Sequence, residues 1–507
     1  MGLLSSPRNI CGWLVLVLAT PRLGGQDFKE AANRITDFNL SNGLRLVVME
    51  RHEAPVVTFH TYVKTGSVDD PSGQTGMAHM FEHLAFKGSE SIGTRDWAGE
   101  KKALDAIEEA YDRLEAERNK GPLADVGKAG AAEVLLNRTI EQARAWTKPG
   151  DFLRVLAENG AMGWKAAATA DAIESSYSLP SNRVELWFLM ESQRLLRPAF
   201  RDFYSERETV AEEYRERVEK NPQGRLNQAL LATALAAHPY RHPMFGWPGD
   251  FSNLRARQAR DFFDRYFVAS NITVAIAGDV SAAEVKRLAE RYFGSMPSRP
   301  APPLVHTGEP PQAGPKTVVV EAAGPPMVMV AYQRPEQLDP DDPVLDVIQS
   351  VLGAGKSGWI HQELMQEKKI ALMAQANSNS PGGRYPSLFT ILLIAAAGHT
   401  VEENQKALDD LLNRLMMQRL DGPTMARAKA QIRALMLSRL DSNAGWAFLL
   451  ATCQGAYGDW RRLFKNLEDV DRVTPDDVQR VARKYFKLSN RTLAYTVPPA
   501  SAVQVVR

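Results

Sequence analysis

Two cysteines in 507 residues, Cys11 and Cys453, exclude both a disulfide framework and a metal site built on thiolates. An excess of one charge is also missing. The chain carries 61 Lys and Arg against 60 Asp and Glu, so it has no general attraction to nucleic acid or to an anionic membrane surface. Nor is there an apolar run long enough to cross a bilayer. Ile10–Ala19 (ICGWLVLVLA) is too short and reads as the apolar centre of a secretory signal over residues 1–25, with Arg8 before it and Gly24 and Gly25 after it. The expectation is an exported protein, periplasmic or extracellular and of bacterial type, with no integral membrane segment once the signal is removed. Cys453 lies among Ala447, Leu449 and Leu450 and reads as a small buried hydrophobe.

What the chain does have is a globular composition, 44% hydrophobic and 24% charged, at a length too great for one ordinary core. It also repeats itself. YFVASNITVA from Tyr266 and YFKLSNRTLA from Tyr485 agree at six of ten positions, at an offset of 219. A weaker match sets Leu46–Glu50 and Pro55 against Val318–Glu321 and Pro326, at an offset of 271. The difference, 271 − 219 = 52, places about fifty additional residues inside the first half. Residues from about 96 to 150 supply them. This alanine-rich, charged stretch has helical period and a Gly121-Pro122 break, and it reads as a solvated helical hairpin. Six prolines between residues 298 and 315 mark an extended linker. The predicted organisation is a domain over 26–297, that linker, and a related domain over 316–507. Both are α+β, since short strands and amphipathic helices alternate irregularly in each.

The chemistry gathers at His79-Met80-Phe81-Glu82-His83. Four residues apart on a helix, two imidazoles share a face and reach one cation, and Glu82 stands on the adjoining edge. Imidazole nitrogen suits zinc, and a neighbouring carboxylate can take a proton from water activated by the metal. The flanking Met77, Ala78, Leu84 and Phe86 are apolar, and burying two histidines and a glutamate among them is costly without a shared purpose. A catalytic zinc has three protein ligands, so one must come from elsewhere. The best region is Glu206–Glu213, whose end residues are seven apart on one helical stripe with Val210 nearly between them. One of the two can ligate while the other braces.

H-x-x-E-H is the inverzincin order. GMAHMFEHLAFKGS resembles the metal-binding helix of the pitrilysin/insulinase family of zinc metallopeptidases, which includes the mitochondrial processing peptidases. ERETVAEE resembles that family's downstream glutamate motif. His238-Pro239-Tyr240, Ala277-Gly278-Asp279 and Tyr457-Gly458-Asp459-Trp460 are similar too, so the likeness runs from about Asn39 to Pro498. It implies His79, His83 and Glu213 as ligands of one Zn2+ per chain, Glu82 as general base, and Glu206 in a supporting catalytic position. It also implies two homologous halves facing each other as a clamshell, with metal in the first only. Adding 271 sets Ser350, Gly353 and Ala354 opposite His79, Glu82 and His83, and none of the three is a ligand.

An edge strand that pairs with substrate is implied at Trp164, Lys165 and Ala166, where Lys165 replaces the asparagine usual in relatives. The expected function is zinc-dependent endopeptidase action on peptides or small unfolded proteins, with the chain pairing with itself or with a related family member. The alternatives are a silent partner subunit of such a complex and a zinc hydrolase that does not cut peptides.

Overall fold

The structure, a computed structural model, describes residues 30–353 and 355–499; the expected signal segment lies outside them. It is an α+β protein with two mixed sheets. The first is built from Ile35–Asn39 (β1), Arg45–Glu50 (β2), Val56–Val63 (β3), Met162–Ala168 (β4), Ile173–Pro180 (β5) and Ile272–Gly278 (β6), in the order β1-β2-β6-β3-β5-β4. The second holds Lys316–Glu321 (β7), Met327–Arg334 (β8), Ala371–Ser380 (β9), Ser387–Ala395 (β10) and Arg491–Val497 (β11), in the order β7-β11-β8-β10-β9.

Apart from β1, these are the same order twice. In each sheet the first-formed strand runs parallel to the last-formed one. The pairs Arg45↔Thr273 and Lys316↔Thr492 are related by both sequence offsets at once, 271 on one strand and 219 on the other. The central strands are covered on both faces: every residue of β6 is buried, as is all of β3 from Val57 onward, and most of these residues are apolar.

The source of that cover corrects one expectation. Val57, Phe59 and Val63 point into the core of their own half. The opposite face, with Val47, Met49, Tyr62, Ala275 and Ala277, packs against Trp446, Leu450 and Cys453 of the helix Asn443–Tyr457, which belongs to the second half. The second sheet mirrors this. Val328, Val330 and Tyr332 enter its own core. Met327, Met329 and Ala331 lie under Leu226, Leu230 and Leu231 of the helix Pro222–Ala234 from the first half. Each half thus completes the other's sheet. The space between the sheets is filled by these helices, and the clamshell expected of the two halves is replaced by an interlocked pair, since a sheet apolar on both faces needs two layers of cover.

The inserted hairpin is present as the helices Trp97–Arg118 and Val126–Ala143, packed on each other and capped by Asp96 and Asp125, whose carboxylates accept from the amides of Gly99 and Lys128. Arg201 fastens its base. All five guanidinium hydrogens are used, on the Glu100 carboxylate and on the carbonyls of Lys87, Ser89 and Ile92. Both side chains of that ion pair are almost wholly buried. The linker runs without helix or strand. It is pinned by Glu309, whose carboxylate accepts from the amides of Ala236, Ala237 and His238.

Cross-covering has a measurable consequence. A chain cut between residues 298 and 315 should yield two pieces that copurify. Residues 26–297 alone, stripped of Trp446 and Leu450, should bind a hydrophobic dye and aggregate. A soluble, dye-free fragment would show that the first sheet does not depend on the second half.

Candidate metal centre

The site is built on a short helix, Met77–Leu84. Its start is unusual: Gly76 adopts φ 93°, and a Cβ there would sit 2.5 Å from the carbonyl oxygen of Phe245, so glycine is required. The first-turn amides are held from outside the helix by Asp70, a buried carboxylate that accepts from the N–H groups of Gly76 and Ala78 at 2.8 Å each. Burial pushes the Asp70 carboxyl well above its ordinary range, the amide bonds of Ala78 and Gly76 oppose that rise, and they satisfy donors that the helix itself leaves open. Met77, Ala78, Met80 and Phe81 are buried, and Phe81 packs on Phe262 and Phe267. The imidazoles are therefore held by a helix that has little freedom to turn.

His79 and His83 meet Glu213, which comes from the helix Phe203–Tyr214. The Nε2 atoms of the two histidines are 3.3 Å apart, and Glu213 Oε2 lies 3.3 Å from His79 Nε2 and 3.8 Å from His83 Nε2. Bonds of about 2.0–2.1 Å to a tetrahedral zinc set neighbouring donor atoms about 3.3 Å apart, so the triangle has the size and the chemistry for that ion. His79 is 1% exposed and stands edge-on to the Phe245 ring, whereas the Glu213 side chain keeps 29% of its surface in solvent. The triangle is thus walled on one side and open on the other. Glu212, the neighbouring candidate, points to solvent and pairs with Arg215, so the structure separates the two adjacent glutamates.

Glu206 lies outside the triangle. Its Oε2 is 3.2 Å from His83 Nδ1, and its other oxygen pairs with the Lys87 ammonium. A carboxylate at Nδ1 holds the proton there and leaves the Nε2 lone pair free for a metal. Val210, fully buried, lies between Glu206 and Glu213 on the helix, as the seven-residue spacing requires.

Glu82 Oε2 is 3.3 Å from His79 Nδ1 and accepts a hydrogen bond from the amide of Ala168 at 2.9 Å. Burial by itself would raise the Glu82 carboxyl, but the bonds from His79 and Ala168 outweigh it and hold the group below its ordinary value. At Glu206 burial is likewise outweighed, by His83 and Lys87. Both carboxylates are thus ionised at neutral pH.

Ala168 ends β4, which is the edge of the first sheet and pairs only with β5. Trp164 is 42% exposed, Lys165 is exposed and Ala166 is half-buried. Lys165 forms no ion pair among the described residues; its ammonium lies 6.0 Å from the centre of the Phe448 ring. A register shift between Met162 and Lys165 bends the strand ahead of that stretch.

Sequence reasoning missed Asp70, Lys87, Phe245 and the Ala168 amide. Lys87 lies within the quoted GMAHMFEHLAFKGS stretch but carries no ligand spacing, and the other three reach the site through a turn or a strand end. A cavity of about 430 Å3 between the inserted helices and Phe200–Ser205 is lined by none of the metal-group residues.

Comparison with known proteins agrees with this geometry. Residues 45–112 match the model of Insulinase (Peptidase family M16), and residues 253–435 match that of the Peptidase M16 inactive domain. The zinc protease PqqE of Helicobacter pylori is 27% identical over 470 residues, covering 90% of this chain and 92% of its own. The probable mitochondrial-processing peptidase subunit beta of Schizosaccharomyces pombe is 24% identical over 466 residues, 87% of each chain. The crystal structure of a protease from Helicobacter pylori superposes with a TM-score of 0.77 at 23% identity, over 92% of this chain and 99% of that one. The helix bearing His79 and His83 lies inside the insulinase match, and four of the second sheet's five strands, β7 to β10, lie inside the inactive-domain match: the chain belongs to the insulinase family of peptidases, M16.

Proposed function

We propose that the protein is a zinc-dependent endopeptidase acting on extended peptides or small unfolded proteins, with one zinc per chain. The observation that carries this reading is the His79–His83–Glu213 triangle with Glu82 beside it, tied by its own carboxylate to the last residue of a free strand edge. Zinc held by those three residues would activate water and polarise a scissile carbonyl. Glu82 does the proton work: a carboxylate oxygen takes a proton from the attacking water and returns it to the departing amine. Glu206 keeps His83 in the tautomer that presents Nε2. β4 offers unpaired backbone groups to a peptide that adds as a further strand, with Trp164, Lys165 and Ala166 beside it.

The silent-subunit alternative has no observation in its favour, since the donor set is complete. The helix Asn443–Tyr457 of the second half covers the face of the first sheet, with its Phe448 ring 6.0 Å from the Lys165 ammonium, and the outer edge of β4 has no paired strand. On this reading a second subunit, another copy or a related chain, closes over the edge. Among the described residues no helix is long and apolar enough to cross a membrane. Export remains an expectation from residues 1–25.

Elemental analysis should find about one zinc per chain in the parent. His79→Ala, His83→Ala and Glu213→Ala should each lose most of it and Glu212→Ala should keep it; zinc retained in Glu213→Ala and lost in Glu212→Ala would move the third ligand. Glu82→Gln should keep zinc yet lower kcat/KM on a quenched peptide by about 10²–10⁴-fold, the usual worth of a positioned base. Activity that survives a chelator, or a Glu82→Gln rate within a few-fold of the parent, would count against metal-assisted hydrolysis. Lys165→Asn should raise kcat/KM for neutral peptides relative to acidic ones; an unchanged ratio would place Lys165 outside substrate selection.

A further inference from the structure

We propose that Arg384, which lies in the second half between β9 and β10, is a positioning residue for the metal helix and for the end of the substrate edge. This rests on the peptidase reading above. Arg384 Nη2 lies 2.7 Å from each oxygen of Asp69, and its Nη1 donates to the Lys64 carbonyl at 3.1 Å. Both side chains are at least nine-tenths buried. Asp69 ends the short helical turn Ser67–Asp69, and its carboxylate also accepts from the Gly66 amide at 3.1 Å. The next residue is Asp70, the carboxylate that holds the Gly76 and Ala78 amides at the start of the helix bearing His79 and His83.

The same turn grips β4. The amides of Ser67 and Val68 donate to the carbonyls of Thr169 and Ala170, both at 3.1 Å. The approach is so close that a Cβ at Gly66 would lie 2.4 Å from the Thr169 oxygen. From the other side, Asp171 accepts from the amides of Gly383 at 2.7 Å and Arg384 at 3.1 Å, and from the Tyr240 hydroxyl. One loop of the second half therefore fixes two things in the first: the turn from which Asp70 reaches the metal helix, and the strand end whose Ala168 amide holds Glu82.

The physical argument is one of charge. Asp69 is buried, and without the guanidinium its carboxylate is left uncompensated. The turn must then move toward water or take up a proton, and either change loosens its neighbour Asp70 from the two amides. A lysine keeps the charge but not the two-pronged geometry, so it should restore only part of the effect.

The test compares Arg384→Met, Arg384→Lys and a control, Asn443→Ala, in the full-length protein. Asn443 makes a different contact between the halves, donating to the Val56 carbonyl and accepting from Arg51, each at 3.0 Å. Amide hydrogen exchange at Gly76 and Ala78 should quicken about tenfold or more in Arg384→Met and less in Arg384→Lys, and should stay at the parent rate in Asn443→Ala. Zinc affinity, measured by competition with a chromophoric chelator, should fall about tenfold in Arg384→Met, as when a metal ligand loses its outer support. kcat should fall and KM should rise less, because the metal helix and Glu82 lose support while the backbone amides of residues 383 and 384 still hold Asp171 beyond the end of β4. A folded Arg384→Met with parental exchange and zinc affinity overturns the proposal, as does equal loosening in Asn443→Ala. If Arg384→Met does not fold, Arg384→Lys decides by the same exchange and zinc measurements, and parental values in it overturn the proposal. Should the parent bind no zinc and cleave no peptide, the peptidase reading falls, while exchange at Gly76 and Ala78 still decides the role of Arg384.

Discussion

A β-sheet that is apolar on both faces must be covered twice, and a half-chain of this length has helices enough to cover its own sheet once. That constraint explains why Tyr62 and Ala275 lie under Trp446 and Leu450, and why Met329 and Ala331 lie under Leu226 and Leu230. The two covering helices, Pro222–Ala234 and Asn443–Tyr457, stand at equivalent places in the repeat, so the exchange is reciprocal. The interlock has a further effect. It brings the loop before β10 within hydrogen-bond distance of Asp69 and Asp171, which flank the metal helix and the free edge strand. The half that lacks the ligands thereby becomes part of the frame that holds them.

Within the first half the same economy of supports recurs at smaller scale. His83 is tethered at both ring nitrogens, Nε2 at the triangle and Nδ1 on the Glu206 carboxylate, while His79 is held at Nε2 and its Nδ1 faces Glu82 Oε2 at 3.3 Å. Such tethering sets the ring orientation that a helix of eight residues could not set alone. The carboxylates are in turn fixed: Glu82 by the Ala168 amide, Glu206 by Lys87. Arg201 continues the chain of supports outward, joining the carbonyl of Lys87 to Glu100 at the root of the inserted hairpin. Removing one support in such a set leaves a buried polar group unpaired, which costs more than the lost bond.

The parts legible in the sequence were those that depend on spacing along the chain. H-x-x-E-H places two imidazoles on one helical face whatever surrounds it, and two offsets in a repeat predict matched strands; Arg45↔Thr273 and Lys316↔Thr492 realise both offsets. Spacing alone left Glu206 and Glu213 undivided, and resemblance supplied the choice that the structure's geometry now shows. The parts not legible were those set by distance through space. Nothing near Asp70 marks it as the cap of a helix that begins seven residues later, and nothing in YFKLSN states which sheet the preceding helices cover. Lys165 illustrates the boundary. Its place on an edge strand was implied by the resemblance, whereas its neighbour, the Phe448 ring, comes from a helix that crosses over from the other half.

Among the described residues the second half holds no such metal group, and its packing shows why. The helix Asp342–Gly353 is the counterpart of the metal helix, with Ser350 where His79 stands and Gly353 where Glu82 stands. The Ser350 hydroxyl is engaged by the Ala428 carbonyl and by Gln431, so the position is tied into packing against the helix Gly422–Leu440. A Cβ at Gly353 would lie 2.8 Å from the Cβ of Ala376 on β9, too close for any side chain, let alone a carboxylate. In the first half Glu82 stands at the corresponding position, and its oxygen reaches the last amide of β4. The approach of Gly353 to Ala376 thus leaves no room for a carboxylate in the second half, whereas the first half sets one against the end of its edge strand.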